Sequence, residues 1–392
     1  MDKKSNLKRV LHIVSTMDRG GAETLIMNIY RNIDKTKIQF DFVSHSSKKG
    51  DYDDEIISLG GKIHYIPSLG ELGPIKYIKE LKRVMSSAHY IAVHSHTDFQ
   101  SGFPALAAKL CGIKKRICHS HSTNWPKNNH MINKFILKFL QILIKVSATN
   151  YCSCSNEAAA FLFSQKLVDH GKVKILNNGI DLNSFFETYD GRDHLLSELG
   201  LPKDVKIIGH VGRFSKSKNQ SFILKILKKI LETDPNYFVC LVGDGPLKKQ
   251  VEREAEALGV LNHIKFLGVR TDIPRLMKAF DVFLFPSLFE GFGIVTLEAQ
   301  CAGTPCVASA AVPRSTDMGL GLITYISLEE DLNTWSKYIN KAAFSNRPDN
   351  ETIKKHFKNK GFSMEENVPK WLSLYLNDKQ ESLSHLLDLI RS

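Results

Sequence analysis

FPSLFEGFGIVTLEAQCAGTPCVAS, residues 285–309, decides the fold. Its first residues complete one short apolar run, DVFLFPS (281–287), and its last belong to another, TPCVAS (304–309). Each has the length and composition of a buried strand. A helix starting near Ile294 separates them, so the two strands pair in parallel through a crossover. The loop before that helix is Glu290-Gly291-Phe292-Gly293. Two glycines let backbone approach a ligand closely, and the helix start offers unpaired N–H groups and the positive end of a dipole. That is a seat for phosphate. Glu290 stands just outside it, where a carboxylate suits sugar hydroxyls better than phosphate. Glu298, more than one turn inside the helix, reaches a second pair of hydroxyls, such as those of a ribose. Spacing alone also admits Glu290 as a helix-start carboxylate and Glu298 as a solvated surface residue.

The same strand–helix rhythm runs outward in both directions. VLHIVS (10–15), QFDFVSH, HYIAVHSH and KRICHSH read as strands in the first half. VKIIGHVGRF (205–214), YFVCLVGDG (237–245) and IKFLGV (264–269) join the two strands above in the second. Alternation of this kind implies an α/β fold with parallel sheets, and two sets imply two doubly wound domains. The break falls between Asp181 and Asp204, where the pattern turns loop-like before a new first strand.

The 392 residues are 43% hydrophobic and 24% charged, an ordinary globular composition. The net charge of +12 is unevenly placed: residues 1–185 hold 26 Lys/Arg and 15 Asp/Glu, and residues 101–150 hold eight basic and no acidic side chains. Such a surface suits nucleic acid, an anionic membrane or a phosphorylated substrate, and a merely basic solvated surface accounts for it as well. Seven scattered cysteines without a CxxC give no disulfide framework and point to a reducing compartment. The opening MDKKSNLKRVLHIVST has too short an apolar run for a signal peptide, and no uncharged apolar run reaches the length of a membrane span.

In open α/β sheets ligands sit beyond the carboxyl ends of the strands. There lie Gly20-Gly21, Arg213 with Lys218, and Gly243-Asp244-Gly245. Arg213 as a planar fork and Lys218 as a point charge can neutralise a diphosphate. Neither GxxxxGK[ST] nor a complete GxGxxG occurs. His94/His96 and His119/His121 end two strands as aligned pairs. They complete no known metal-ligand spacing, so a polar site histidine, His121 foremost, is favoured over a metal. MINKFILKFLQILIKVSA (131–148) reads as a helix with a wide apolar surface and Lys134, Lys138 and Lys145 near one face. It is either an internal helix with a narrow wet stripe or one that lies on an anionic membrane.

MDRGGAET, NNGID (177–181), VGRFSKSKN, LVGDGPL, FLGVRTDI and the opening stretch, in that order, resemble the glycosyltransferase family 4 enzymes. ICHSHST is similar to the branch that builds bacterial capsular and exopolysaccharides. The resemblance implies the GT-B fold of two facing Rossmann-like domains. The first, 1–185, would bind the acceptor; the second, 186–368, the nucleotide sugar; and a crossing helix in 369–392 would pack back on the first through Trp371. It implies transfer from a nucleotide sugar, UDP before GDP, with retention of configuration and without metal or other cofactor. Arg213 and Lys218 would hold the diphosphate, Glu290 the sugar hydroxyls and Glu298 the ribose. N–H groups of Phe292, Gly293 and Ile294 would meet sugar and phosphate, Val269 and Arg270 the base. Gly20 and Gly21 would line the cleft, and His121 would stand near the transferred sugar. The run AAVPRSTDMGLG departs from the short glycine-rich turn that many relatives have after TPCVAS. The acceptor would be lipid-linked or an oligosaccharide, at the cytoplasmic face of the membrane, with residues 101–150 on that anionic surface. No nucleic-acid module is recognisable. A non-hydrolysing nucleotide-sugar epimerase and a non-catalytic GT-B subunit of another transferase are the alternative readings.

Overall fold

The computed structural model describes residues 7–122, 131–187 and 191–376, without the side chains of 131–134. The chain divides into two units at Gly179/Ile180 and again at Ser363/Met364. The first unit holds β1 (Lys8–Val14), β2 (Ile38–Ser44), β3 (Ile63–Tyr65), β4 (Tyr90–Ser95), β5 (Lys115–Ser120), β6 (Asn150–Ser153) and β7 (Val173–Ile175). They form one sheet in the order β3-β2-β1-β4-β5-β6-β7, every pair parallel. The second holds β8 (Lys206–Val211), β9 (Tyr237–Val242), β10 (Ile264–Gly268), β11 (Val282–Phe285), β12 (Cys306–Ser309) and β13 (Ile323–Ile326). Their order is β10-β9-β8-β11-β12-β13, again all parallel. Strand order reverses beside the first strand of each sheet, at β1/β4 and β8/β11, which opens a crevice past the strand ends.

Period two is visible in the packing. Val10 and Val14 join the core on one face of the first sheet, Leu11 and Ile13 the core on the other. Phe283 and Phe285 face one core of the second sheet, Val282 and Leu284 the opposite one. Strands covered on both faces read as near-continuous apolar runs, and a buried exception such as Asp41 of β2 is paired, here with Arg9 at 2.7 Å. That is why the inner strands are legible in the sequence. β3, β6, β7 and β13 went unread because they are short and only partly buried, whereas the equally short β11 and β12 are buried at every position.

The two divisions fall a few residues before the expected 185/186 and 368/369. Leu182 and Phe185 bury in the second unit's core, so that unit starts at Ile180. Met364 and Val368 bury in the first unit's core, so the helix Met364–Tyr375 belongs there from its first residue. At the crossing, the Ile180 N–H donates to the Phe362 carbonyl at 2.8 Å, and Ile180 bridges Ser363.

Trp371 on this helix packs on an unusual polar cluster. Its ring centroid lies 5.0 Å from that of His94, 5.6 Å from His119 and 6.0 Å from His96. The two histidine pairs do share one face of the sheet, and β1 adds His12, which sequence spacing did not reveal. Ring nitrogens link in two chains: His12 Nδ1 to His96 Nε2 (3.0 Å) and His96 Nδ1 to His121 Nε2 (2.9 Å); Tyr375 hydroxyl to His94 Nδ1 (2.7 Å) and His94 Nε2 to His119 Nδ1 (3.1 Å). Burial pushes His12 down to about 3 and His121 to about 4; His94, His96 and His119 fall well below their ordinary value through burial and mutual repulsion. All five are therefore neutral at pH 7.

An unfolded chain protonates these histidines near pH 6.5 and the folded one does not. Their contribution is thus intact above about 6.5 and is lost as pH falls towards the folded values, by about 1.4 kcal/mol per histidine per pH unit. With total stabilities of roughly 5–15 kcal/mol, the first unit is expected to melt steeply lower between pH 6.5 and 5 while holding constant above 7. Thermal unfolding followed by tryptophan fluorescence across that range tests this, and a melting temperature unchanged to pH 5 would contradict it.

Candidate active site

The switch point of the second sheet brings two loops together. One follows β8 and carries Arg213 and Lys218; the other follows β11 and carries Glu290. They are stitched by backbone and side chain: the Leu288 N–H donates to the Ser217 carbonyl at 2.8 Å, and Asn219 Nδ2 to the Pro286 carbonyl at 3.1 Å. Asn219 takes φ 57°, a left-handed conformation that asparagine tolerates. The β8 loop is pressed from the other side by the turn after β9. A Cβ on Gly243 would stand 2.3 Å from the Gly212 carbonyl oxygen, and one on Gly245 2.5 Å from that of Phe214. These glycines, at φ 127° and 156°, serve close backbone packing beneath Arg213.

Lys218 Nζ lies 2.5 Å from Glu290 Oε1 and 4.9 Å from the Phe285 ring centre. Both charged side chains are largely buried. Arg213 is exposed, and its guanidinium makes no hydrogen bond or ion pair among the described residues. The helix behind Glu290 is Ile294–Cys301, and Gly293 at its N-cap takes φ 85°. Of its first-turn amides, that of Thr296 donates to the Gly293 carbonyl at 3.0 Å, while those of Ile294 and Val295 have no intrahelical acceptor. Gln300, fully buried, donates to the Thr296 and Thr316 carbonyls and accepts from the Met318 N–H, which ties the loop after β12 to this helix. A Cβ on Gly293 would meet Val312 of that loop at 3.5 Å, so the AAVPRSTDMGLG run sits against the seat despite lacking glycine there. Phe292 packs its ring into the core against Phe362, 5.7 Å away.

Glu298 is partly buried one turn on, and its carboxylate makes no hydrogen bond or ion pair among the described residues. Burial raises it to about 7. Val269 is half exposed, whereas the Arg270 guanidinium is committed to Asp272 and Glu198 at 2.8 and 2.5 Å. Only the backbone of that segment and Val269 are left to meet a ligand without breaking ion pairs.

In the first unit, Gly20 caps and Gly21 begins the helix Gly21–Arg31 behind β1. Two acids nearby escaped the sequence reading. Glu23, in that helix's first turn, is raised to about 7 by burial, with the charge of Asp18 adding. Asp98, behind β4, holds the segment behind β5: its Oδ1 accepts the His121 N–H at 2.8 Å. Asp98 sits at φ 46°, and burial raises it to about 6. A lone aspartate after a strand gives no sequence signal for such a role. Two groups, His12/His94/His96 and His96/His119/His121, keep ligand nitrogens within 4.8 Å of one another. Neither includes an anionic ligand, and a buried dication needs its charge balanced.

Residues 192–318 match the model of glycosyl transferases group 1, and residues 19–184 that of Glycosyltransferase Family 4. The chain is 41% identical over 372 residues to glycosyltransferase EpsF of Bacillus subtilis (strain 168), covering 95% of this chain and 97% of that one. It is 30% identical to the capsular polysaccharide biosynthesis glycosyltransferase CapH of Staphylococcus aureus, covering 85% and 90%. It is 29% identical to the UDP-Gal:alpha-D-GlcNAc-diphosphoundecaprenol alpha-1,3-galactosyltransferase of Escherichia coli, over 60% of this chain and 62% of that one. Among solved structures, Anabaena Alr3699/HepE in complex with UDP and glucose superimposes with a TM-score of 0.72 at 21% identity, covering 93% and 98%. That likeness shows the GT-B fold.

A carboxyl raised from 4.5 to about 7 weakens the folded state as pH rises between those values. Glu298→Gln removes the effect and is expected to stabilise the second unit at pH 8 by on the order of 1–3 kcal/mol, with no gain at pH 4.5. Denaturant unfolding at the two pH values tests it; equal stability of variant and parent at pH 8 would refute it.

Proposed function

We propose, from the premise that this chain belongs to the family 4 glycosyltransferases of the capsular and exopolysaccharide branch, that it is a retaining enzyme using a UDP-sugar. It transfers the sugar to a lipid-linked polysaccharide intermediate at the cytoplasmic face of a membrane. The observation that carries the reading is the charge arrangement at β8/β11: Arg213 and Lys218 on the loop after β8, Lys218 held at 2.5 Å by Glu290 of the loop after β11, and Glu298 one turn into the helix that follows. The UDP of the Anabaena neighbour and the UDP-Gal in the Escherichia coli relative's name support the base. The diphosphoundecaprenol in that relative's name supports the lipid-linked acceptor.

Arg213 and Lys218 then neutralise the donor diphosphate, with the free amides of Gly293 and Ile294 completing the seat. Lys218 comes to that task already held by Glu290, so the pair reorganises when phosphate enters. Glu290 accepts hydroxyls of the transferred sugar, and Glu298, as carboxylate, those of the ribose. The Val269–Arg270 backbone meets the base. Gly20, Gly21 and His121 serve from the first unit; His121, being neutral, acts as a hydrogen-bonding group rather than as an acid. The acceptor hydroxyl forms its bond to the anomeric carbon on the face the diphosphate leaves, and its proton passes to the departing phosphate oxygen. No protein nucleophile, metal or other cofactor takes part. The protein contributes position and charge stabilisation.

For the membrane, the helix Met131–Ser147 carries Phe135, Phe139, Ile142 and Val146 at 76%, 57%, 51% and 57% exposure, interleaved with exposed Lys138 and Lys145. The third lysine of the sequence reading, Lys134, lies outside the described side chains. Among the described residues no helix is long and apolar enough to cross a membrane. An amphipathic helix of this composition lies in the interface, its lysines reaching the headgroups.

Arg213→Ala and Lys218→Ala are each expected to cost on the order of 2–4 kcal/mol in transition-state stabilisation. The assay is nucleotide release from UDP-sugars in chelator, with and without a lipid-linked acceptor. Near-normal turnover in both variants would remove the assignment. Phe135→Ser with Phe139→Ser is expected to release the protein from anionic vesicles; unchanged co-sedimentation would remove the membrane reading.

A further inference from the structure

Beside that helix the first unit has a groove that no local pattern of residues predicts. One wall is the helix Met131–Ser147, contributing Lys138, Ile142 and Lys145; the other is the segment 163–172, contributing Lys166 and Lys172. Tyr151 and Phe163, their ring centres 5.0 Å apart, also line it. The chain thus gathers four lysines from two separate segments around one concavity. None of the four ammonium groups has a hydrogen-bond or ion-pair partner among the described residues, and no carboxylate lines the groove. The closest acid in sequence, Asp169, accepts from Gln165 at 2.7 Å.

Four unpaired cations around one hollow repel one another, and an anion among them relieves that repulsion. The surroundings define the anion further. Ile142 lines the groove and is 51% exposed, and Phe139 and Val146 stand exposed on the same helix. A phosphate carried on an apolar body satisfies both features. A soluble phosphate leaves the apolar ridge bare. A nucleic acid backbone offers phosphates to the lysines but no apolar body to cover Ile142 and Val146.

We propose that this groove seats the phosphate of an anionic phospholipid headgroup while Phe135, Phe139, Ile142 and Val146 enter the acyl boundary. The proposal rests on the membrane reading above and goes beyond it: Lys166 and Lys172, outside the basic stretch 101–150, become part of a defined headgroup site. A lysine near an anionic leaflet strengthens binding by about fivefold, so reversing two of the four has a large and local effect.

The test uses the full-length protein and vesicles of phosphatidylcholine with and without phosphatidylglycerol. Lys166→Glu with Lys172→Glu is expected to weaken binding to the phosphatidylglycerol vesicles at least tenfold without lowering the melting temperature. Lys166→Arg with Lys172→Arg is expected to retain it. The comparison pair is Lys76→Glu with Lys79→Glu, equally exposed on the helix Leu69–Met85 and outside the groove, where a much smaller loss is expected. An equal loss in the comparison pair would reduce the effect to diffuse charge and overturn the site. Loss of binding through Phe135→Ser with Phe139→Ser, but not through the groove pair, would leave the membrane reading standing and remove the groove. A parent protein with no preference for phosphatidylglycerol would remove both.

Discussion

A parallel strand covered on both faces holds a polar side chain inside only when that side chain is paired, as Asp41 of β2 is with Arg9 at 2.7 Å, and is free of that demand past its end. The placing of the exposed charged groups in both sheets follows from it. Ile207 and Ile208, Phe283 and Leu284 spend their side chains on two opposed cores. Past the carboxyl ends the same strands release Arg213, Lys218 and Glu290 into loops. The sheet order then decides which loops meet. Because β8 lies beside β11, the lysine and the glutamate approach to 2.5 Å although 72 positions separate them in the chain.

That pairing gives the second unit two states of charge. Without a ligand Glu290 neutralises Lys218, and the partly buried pair costs less than either group alone would. In the proposed function a diphosphate would compete for the lysine and free the carboxylate for hydroxyls. Glu298 shows the opposite economy. Among the described residues its partly buried carboxylate has no partner, and burial raises it to about 7. Structural convenience would have placed a glutamine or an aliphatic side chain at that position. A ribose-binding role supplies a reason for the carboxylate.

The first unit answers the same constraint differently. Its strand ends converge on imidazoles, which bond to one another and are covered by Trp371 and Tyr375 of the returning C-terminal helix. Neutral histidine can both donate and accept, so a stack of them can satisfy most of its own polar atoms while packing like an aromatic core. Among the described residues, the buried ring nitrogens of the cluster without a hydrogen-bond partner are His12 Nε2 and His119 Nε2. On the outer side of this unit, chemistry of another kind is set by one helix, whose exposed phenylalanines and lysines have no core to enter.

The sequence by itself determined the class of the fold, because burial on both faces writes apolar runs that can be read locally. It also determined the Glu-x7-Glu stretch, the helix start at Ile294 and the glycines before it, since all of these lie within a few residues of one another. Its divisions at 185 and 368 missed by a few positions because no local signal shows which core Phe185 or Met364 enters. Tertiary structure alone decided that Lys218 holds Glu290, that Arg270 is occupied by Glu198 and Asp272, that Asp98 fixes the backbone of His121, and that His12 joins the other four histidines. It alone brought Lys166 and Lys172 to Lys138 and Lys145. Each of these depends on strand order and helix packing, which place residues tens of positions apart within hydrogen-bond or charge range, and spacing along the chain carries no record of that distance.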